Sequence, residues 1–203
     1  VSLVIGLTGS IATGKSTVAS MIKDMNIPVI DADELSREVV EPGEAAYQQI
    51  KETFGEGVFQ TDGFLDRKAL GRIIFNDEEK RKQLNDIVHP AVRERMLEKR
   101  DDYVEQGTRA VVLDIPLLFE SGLSHYVDRT LVVAVDEDTQ LKRLMERDES
   151  TREEALSRIN AQIPISEKAE MADAAIDNSD TKEQTLQQLQ SILWYWDAWE
   201  GTE

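Results

Sequence analysis

An apolar run from Leu3 to Leu7 gives way to a glycine-containing loop, then to a stretch from about Lys15 to Met25, and then to Pro28-Val29-Ile30. Within the middle stretch Val18, Met21, Ile22 and Met25 recur at spacings of three and four, so the period changes from that of a buried strand to that of an amphipathic helix and back. The first 35 residues therefore predict a β–loop–α–β unit. Ala110-Val111-Val112-Leu113 and Thr130-Leu131-Val132-Val133-Ala134-Val135 are two further strands, each followed by an aspartate, and Ala174-Ala175-Ile176 before Asp177 is a weaker one. Nearly unbroken apolar strands suit a parallel sheet covered on both faces. The predicted class is α/β, three-layered and doubly wound.

Elsewhere the pattern is helical. Residues 34–107 form charged amphipathic segments broken at Pro42-Gly43, Phe54-Gly55-Glu56-Gly57 and His89-Pro90, and they predict a helical insert. Pro90 suits the first turn of a helix running to about Gln106, with Gly107 at its end. Residues 138–165 predict a second helical insert, with a capping box at Thr151-Arg152-Glu153-Glu154, and they read as a lid. The core is then residues 1–33, 108–137 and 166–203 of a single unit. In the C-terminal helix, which begins near Thr181, Leu186, Leu189, Leu193 and Trp196 form a stripe that docks it on the sheet; Trp194 and Trp199 fall off the stripe.

Composition narrows the function classes. The chain has 203 residues, a formal charge of −17 and no cysteine, with a mean hydropathy of −0.41. So acidic a surface repels phosphate backbones and disfavours a nucleic-acid binder, while leaving room for a local basic pocket. No apolar run reaches the ~20 residues of a membrane span, and Leu3 to Leu7 lacks the basic flank of a secretory signal. The expected location is cytoplasmic, and a start at Val1 suggests a trimmed native terminus. Disulfides, thiolate nucleophiles and Cys-ligated zinc are excluded.

Gly9-Ser10-Ile11-Ala12-Thr13-Gly14-Lys15-Ser16 matches Gly-x4-Gly-Lys-Ser in full, after a strand and before a helix. Glycines let successive amides turn toward one phosphate, and the helix N-terminus adds partial positive charge. Lys15 is expected at the β- and γ-phosphates of ATP and the Ser16 hydroxyl on Mg²⁺. There is no Asn-Lys-x-Asp and no Asp-x-x-Gly, which disfavours a GTPase switch. Ala110 to Asp114 resembles a metal-positioning strand, but Ile115-Pro116 follows instead of a catalytic glutamate, which weakly disfavours a hydrolytic motor. A small-molecule kinase fits best.

Asp31 and Asp33 follow the second strand, where parallel strands gather active-site groups. A carboxylate there can orient and deprotonate an acceptor hydroxyl, Asp33 being preferred, whereas helix capping is the competing role. Arg143 and Arg147, four apart on one helix face, are candidates to neutralise the transferring phosphate, against a surface ion-pair role. His89, held extended by Pro90, is either a ligand contact or a helix-start residue.

Taken in order, Ile5 through Thr17, Val29-Ile30-Asp31-Ala32-Asp33 with Arg37-Glu38-Val39-Val40, Leu84 with His89-Pro90, Asp114-Ile115-Pro116-Leu117-Leu118-Phe119-Glu120, Gln140-Leu141 with Arg143 and Arg147-Asp148, Arg158 with Gln162, and Ala172-Asp173 with Asp177-Asn178 resemble the bacterial dephospho-CoA kinases over nearly the whole chain. The resemblance implies a P-loop NTPase fold with an acceptor-binding helical insert and a lid. It implies transfer of the ATP γ-phosphate to the ribose 3′-hydroxyl of dephospho-CoA, the last step of coenzyme A synthesis. Carried onto this chain, it implies that Lys15, Asp33 and Arg143 are catalytic, and that Gly9, Ala12, Thr13, Gly14, Ser16, Thr17, Arg147 and Asn178 hold the nucleotide. Thr8, Asp33, Arg37, His89, Arg93, Pro116 and Leu117 would contact the acceptor. Ser10 and Ala12 depart from the glycine common in the family, and Thr13 from serine, which leaves the detailed shape of the loop open.

Overall fold

The computed structural model describes residues 1–201. Five strands form one sheet: β1 (Leu3–Thr8), β2 (Val29–Asp31), β3 (Ala110–Asp114), β4 (Arg129–Ala134) and β5 (Ala174–Asp177), in the order β2-β3-β1-β4-β5. β1 pairs in parallel with β3 and β4, and β4 in parallel with β5. The chain is thus α/β with a parallel sheet, as the apolar runs predict. β1 lies at the centre and is buried from Val4 to Thr8, and all five residues of β3 are buried. Such central strands have no solvent face to alternate against. The loop after β1 therefore leaves the carboxyl edge of the sheet at its middle, with Asp114 level with Leu7 beside it.

The helices are α1 (Lys15–Asp24), α2 (Ala32–Glu38), α3 (Ala45–Phe54), α4 (Arg67–Phe75), α5 (Glu78–Glu105), α6 (Glu137–Asp148), α7 (Arg152–Asn160), α8 (Ile165–Met171) and α9 (Lys182–Tyr195). Contacts divide the chain into two compact units. The first comprises Val1–Ile30 and the chain from Arg100 onward; the second is Asp31–Lys99. In the first, Val18 and Ile22 of α1 and Leu189 and Leu193 of α9 pack with Ile5, Leu7, Leu131 and Ile176. Burying such a side chain stabilises by ~1.5–3 kcal/mol, so the stripe on α9 docks that helix as predicted. Trp196 and Trp199 pack against this core, while Trp194 is exposed. Thr151 makes the predicted capping box with Glu154, and Thr181 makes a second one with Gln184.

In the second unit Val39, Val40, Ile50, Val58 and Leu70 form a separate core. Here the reading of Pro90 needs correction. Pro90 does not start a helix but lies inside the 28-residue α5, and His89 is helical instead of extended. An interior proline removes one ladder hydrogen bond at a cost of ~3 kcal/mol. Ile87 and Val88 before it and Ala91 and Val92 after it pack against the same core, and that packing holds the helix through the proline and overrides the local bias. Glu38 of α2 accepts from Lys99 of α5 at 3.0 and 3.1 Å and lies 3.7 Å from Arg95, which also donates to Glu44 at 2.8 Å.

Candidate active site

The loop between β1 and α1 is built so that its interior amides stay open. Thr13 folds back on Ser10: its hydroxyl donates to the Ser10 carbonyl at 2.9 Å and accepts from the Ser10 amide at 3.2 Å. The Thr13 amide donates to the same carbonyl at 3.2 Å, and the Thr17 amide to the Gly14 carbonyl at 3.1 Å. The amides of Ala12, Gly14, Lys15 and Ser16 have no partner among the described residues. Donors left open at a helix N-terminus suit an anion. Gly14 has φ 83°, and a Cβ there would lie 2.2 Å from Asn178 Nδ2, so only glycine fits.

Departures at Ser10 and Ala12 leave this geometry intact and link the loop to its neighbours. Ala12 takes φ 61°, a strain of ~1 kcal/mol for a residue with a Cβ. With Ile11 it packs on Leu141 and Leu144 of α6 and Ala155 of α7. The Ser10 hydroxyl donates to Gln162 Oε1 at 2.7 Å and accepts from Gln140 Nε2 at 3.1 Å, and Gln140 also donates to the Ile11 carbonyl at 2.9 Å. Neither glutamine was singled out for this role by sequence reading, because a lone Gln in a charged helix carries no signal of what it faces.

Lys15 forms an ion pair with Asp114, whose place at the end of β3 brings its carboxylate to the loop. The Ser16 side chain has no partner among the described residues, and the residue is exposed. Ser16 and Asp114 supply hard oxygen donors of the kind Mg²⁺ prefers, and no group of three or more His, Cys, Asp or Glu among the described residues could hold a metal. Thr8 is buried, its hydroxyl donating to the Pro116 carbonyl at 3.0 Å, and Leu117 next along is exposed. Asn178 is buried and already engaged: Nδ2 donates to the Thr13 carbonyl at 2.9 Å and Oδ1 accepts from Thr185 at 2.8 Å.

On α6, Arg143 is half-buried without an ion-pair partner among the described residues, while Arg147 donates to Asp148 at 2.8 and 3.2 Å. Arg158 of α7 pairs with the same carboxylate. Hydrogen bonding to Arg147 holds the Asp148 carboxyl below its ordinary value, and the same bond raises Arg147.

In the second unit, Asp31 caps α2, its carboxylate accepting from the amides of Asp33 at 2.8 Å and Glu34 at 3.3 Å. The Asp33 residue is exposed, and its carboxylate has no partner among the described residues. His89 and Arg93, one turn apart, lie on one face of α5. Arg37 lines a hollow of about 590 Å³ with Arg67 and Lys68, the carboxylates Glu41 and Asp66, and the apolar Val40, Phe64 and Leu65. Neither Arg67 nor Lys68 was predicted as a site residue; both follow the Asp66 cap of α4, and their place beside Arg37 is a matter of tertiary structure.

A parallel sheet carrying an open-amide Gly-x4-Gly-Lys-Ser loop between its central strand and the next helix defines a P-loop nucleotide-binding protein. Residues 3–184 match the family model for dephospho-CoA kinase. The chain is 61% identical over 195 residues to a dephospho-CoA kinase of Oceanobacillus iheyensis, covering 96% of this chain and 98% of the relative. With one from Geobacillus kaustophilus the identity is 59% over 199 residues, 98% and 99% of the two chains. A solved dephospho-CoA kinase from Campylobacter jejuni shares 29% identity and a TM-score of 0.75, over 96% of each chain. The chain belongs to the dephospho-CoA kinase family.

Proposed function

We propose that this protein transfers the γ-phosphate of Mg·ATP to the ribose 3′-hydroxyl of dephospho-CoA, giving CoA and ADP. The observation that carries the reading is the loop itself, with four unpartnered amides and Lys15, in a chain that matches the family from residue 3 to 184. The amides of Ala12, Gly14, Lys15 and Ser16 receive the phosphates, and Lys15 exchanges Asp114 for the β- and γ-oxygens. Ser16, with Asp114, would hold Mg²⁺, which when bound neutralises charge on the β- and γ-phosphates. The 3′-oxygen forms its bond to the γ-phosphorus as the bond to the β–γ bridging oxygen breaks, and Asp33 receives the hydroxyl proton. Arg143, whose guanidinium is not occupied by a carboxylate, stabilises charge on the transferring phosphoryl group. Arg147 serves the donor in a weaker capacity, since Asp148 already holds it.

The acceptor is held by residues 34–107. Arg37, Arg67 and Lys68 have no ion-pair partner among the described residues and sit beside the apolar Val40, Phe64 and Leu65, in a hollow that Glu41 and the helix-capping Asp66 also line. That combination suits a ligand with both a pyrophosphate and an apolar arm, and His89 and Arg93 add a second set of donors. A panel of acceptors with coupled detection of ADP tests the reading: turnover is expected with dephospho-CoA and not with nucleoside monophosphates or sugars. Robust turnover of a monophosphate with none of dephospho-CoA would make this a different small-molecule kinase.

A further inference from the structure

Lys168, on α8, is the largest fully buried side chain among the described residues. Its ammonium donates to the Gly9 carbonyl at 2.8 Å and forms an ion pair with Glu120 at 2.8 Å. Glu120 in turn accepts from the Ile163 amide at 3.3 Å. Removing an ammonium and a carboxylate from water is costly, and an apolar residue of similar volume is often as stable or more so. A methionine would fill the space on α8 without that cost. The charge is therefore placed for what it touches, and what it touches is the first residue of the phosphate loop.

Gly9 cannot be held by a side chain of its own. A Cβ there would lie 2.7 Å from Thr13 Oγ1 and 3.1 Å from the Val133 carbonyl. The peptide between Gly9 and Ser10 is instead gripped at both polar atoms, its oxygen by Lys168 and its N–H by the Thr13 hydroxyl at 3.2 Å. Turning this peptide over would put its carbonyl oxygen where its N–H now meets the Thr13 hydroxyl and disturb the Thr13–Ser10 turn that leaves the interior amides open. At the far end of the loop Asn178 holds the Thr13 carbonyl in the same manner. Both anchors come from one short stretch of chain, from α8 to Asn178 just after β5.

We propose that Lys168, held by Glu120, is a positioning residue for nucleotide binding: it fixes the Gly9 carbonyl behind the phosphate loop so that the loop's amides converge on the triphosphate. It touches no substrate, and the proposal rests on the loop being the triphosphate site. The test is titration calorimetry of Mg·ATP and Mg·ADP with Lys168→Met and Glu120→Gln, with circular dichroism and thermal unfolding to establish folding. In folded Lys168→Met the Kd for both nucleotides is expected to rise at least tenfold. Glu120→Gln, which weakens the hold on the ammonium while leaving the lysine in place, is expected to raise them at least threefold. The Kd for dephospho-CoA should stay within twofold in both, a split that general loosening of the fold would not produce.

Folded Lys168→Met with a Mg·ATP Kd within twofold of the unsubstituted protein would overturn the proposal and make the lysine a packing residue. Should Lys168→Met not fold, Glu120→Gln decides alone, and a Kd within twofold overturns it. Nucleotide binding is measured here without acceptor, so failure of the unsubstituted protein to phosphorylate dephospho-CoA would count against the acceptor assignment and not against this one.

Discussion

Asp31 and Asp33 are the same residue type two positions apart, and the backbone between them separates their roles. Asp31 has extended φ and ψ at the start of α2, so its carboxylate reaches two open amides; Asp33, already in the first turn, points its own elsewhere. Removing a capping carboxylate costs ~0.5–2 kcal/mol, so Asp31→Ala is expected to lower the urea midpoint. Asp33→Asn should leave stability and the Mg·ATP Kd unchanged while lowering turnover with dephospho-CoA by ~10²–10⁴, the usual worth of a general base. Near-normal turnover of Asp33→Asn would remove the carboxylate from the chemistry. The sequence motif selects this pair, but not which member is the cap, because that depends on one residue's dihedral angles. Lys168 was not legible for a different reason, tertiary enclosure: a lysine in Ser-Glu-Lys-Ala-Glu reads as a solvated charge until the fold shows it enclosed.

At the scale of elements, α6 and α7 are joined by exposed charges as well as by Leu141, Leu144 and Ala155. Three carboxyls there sit below their ordinary values of 3.8 and 4.5: Asp136 through the Thr139 hydroxyl, Asp148 through Arg147, and Glu154 through the Thr151 amide. A carboxyl whose folded value is depressed stabilises the fold above its unfolded value and loses that contribution as pH falls through the folded one. These contributions are therefore fully present at neutral pH and fade below about pH 4.5. Melting curves at pH 7, 4.5 and 3.5 are expected to show that Asp148→Asn loses less stability on acidification than the unsubstituted protein; parallel losses would show that the Arg147–Asp148–Arg158 group is uncoupled from folding. The caps at Thr151 and Thr181 and the strands were legible because their signals are local. The continuity of α5 through Pro90 was not, since the local rule at proline lost to Ile87, Val88, Ala91 and Val92 packing on residues 17 to 53 positions away.

The whole molecule carries a formal charge of −17 while both proposed substrates are anions. At the loop itself the proposed site has a different balance: it joins Lys15, Arg143 and the open amides, while the acidic excess is spread over the chain as a whole. The Debye length shortens from ~30 Å at 0.01 M salt to ~8 Å at 0.15 M. Added salt therefore screens the long-range repulsion by the surface before it weakens the contacts within the site. Attractive steering of an anionic ligand would make association slower with salt; here the opposite sign is expected. The association rate of a fluorescent triphosphate analogue, followed by stopped flow over that range of sodium chloride at fixed Mg²⁺, should rise by a few-fold, on the order expected for weak long-range steering. Its dissociation rate should change less. A rate that falls with salt would mean that the field at the mouth of the site is positive, and that the few cations around the loop outweigh the acidic surface at distances beyond a Debye length.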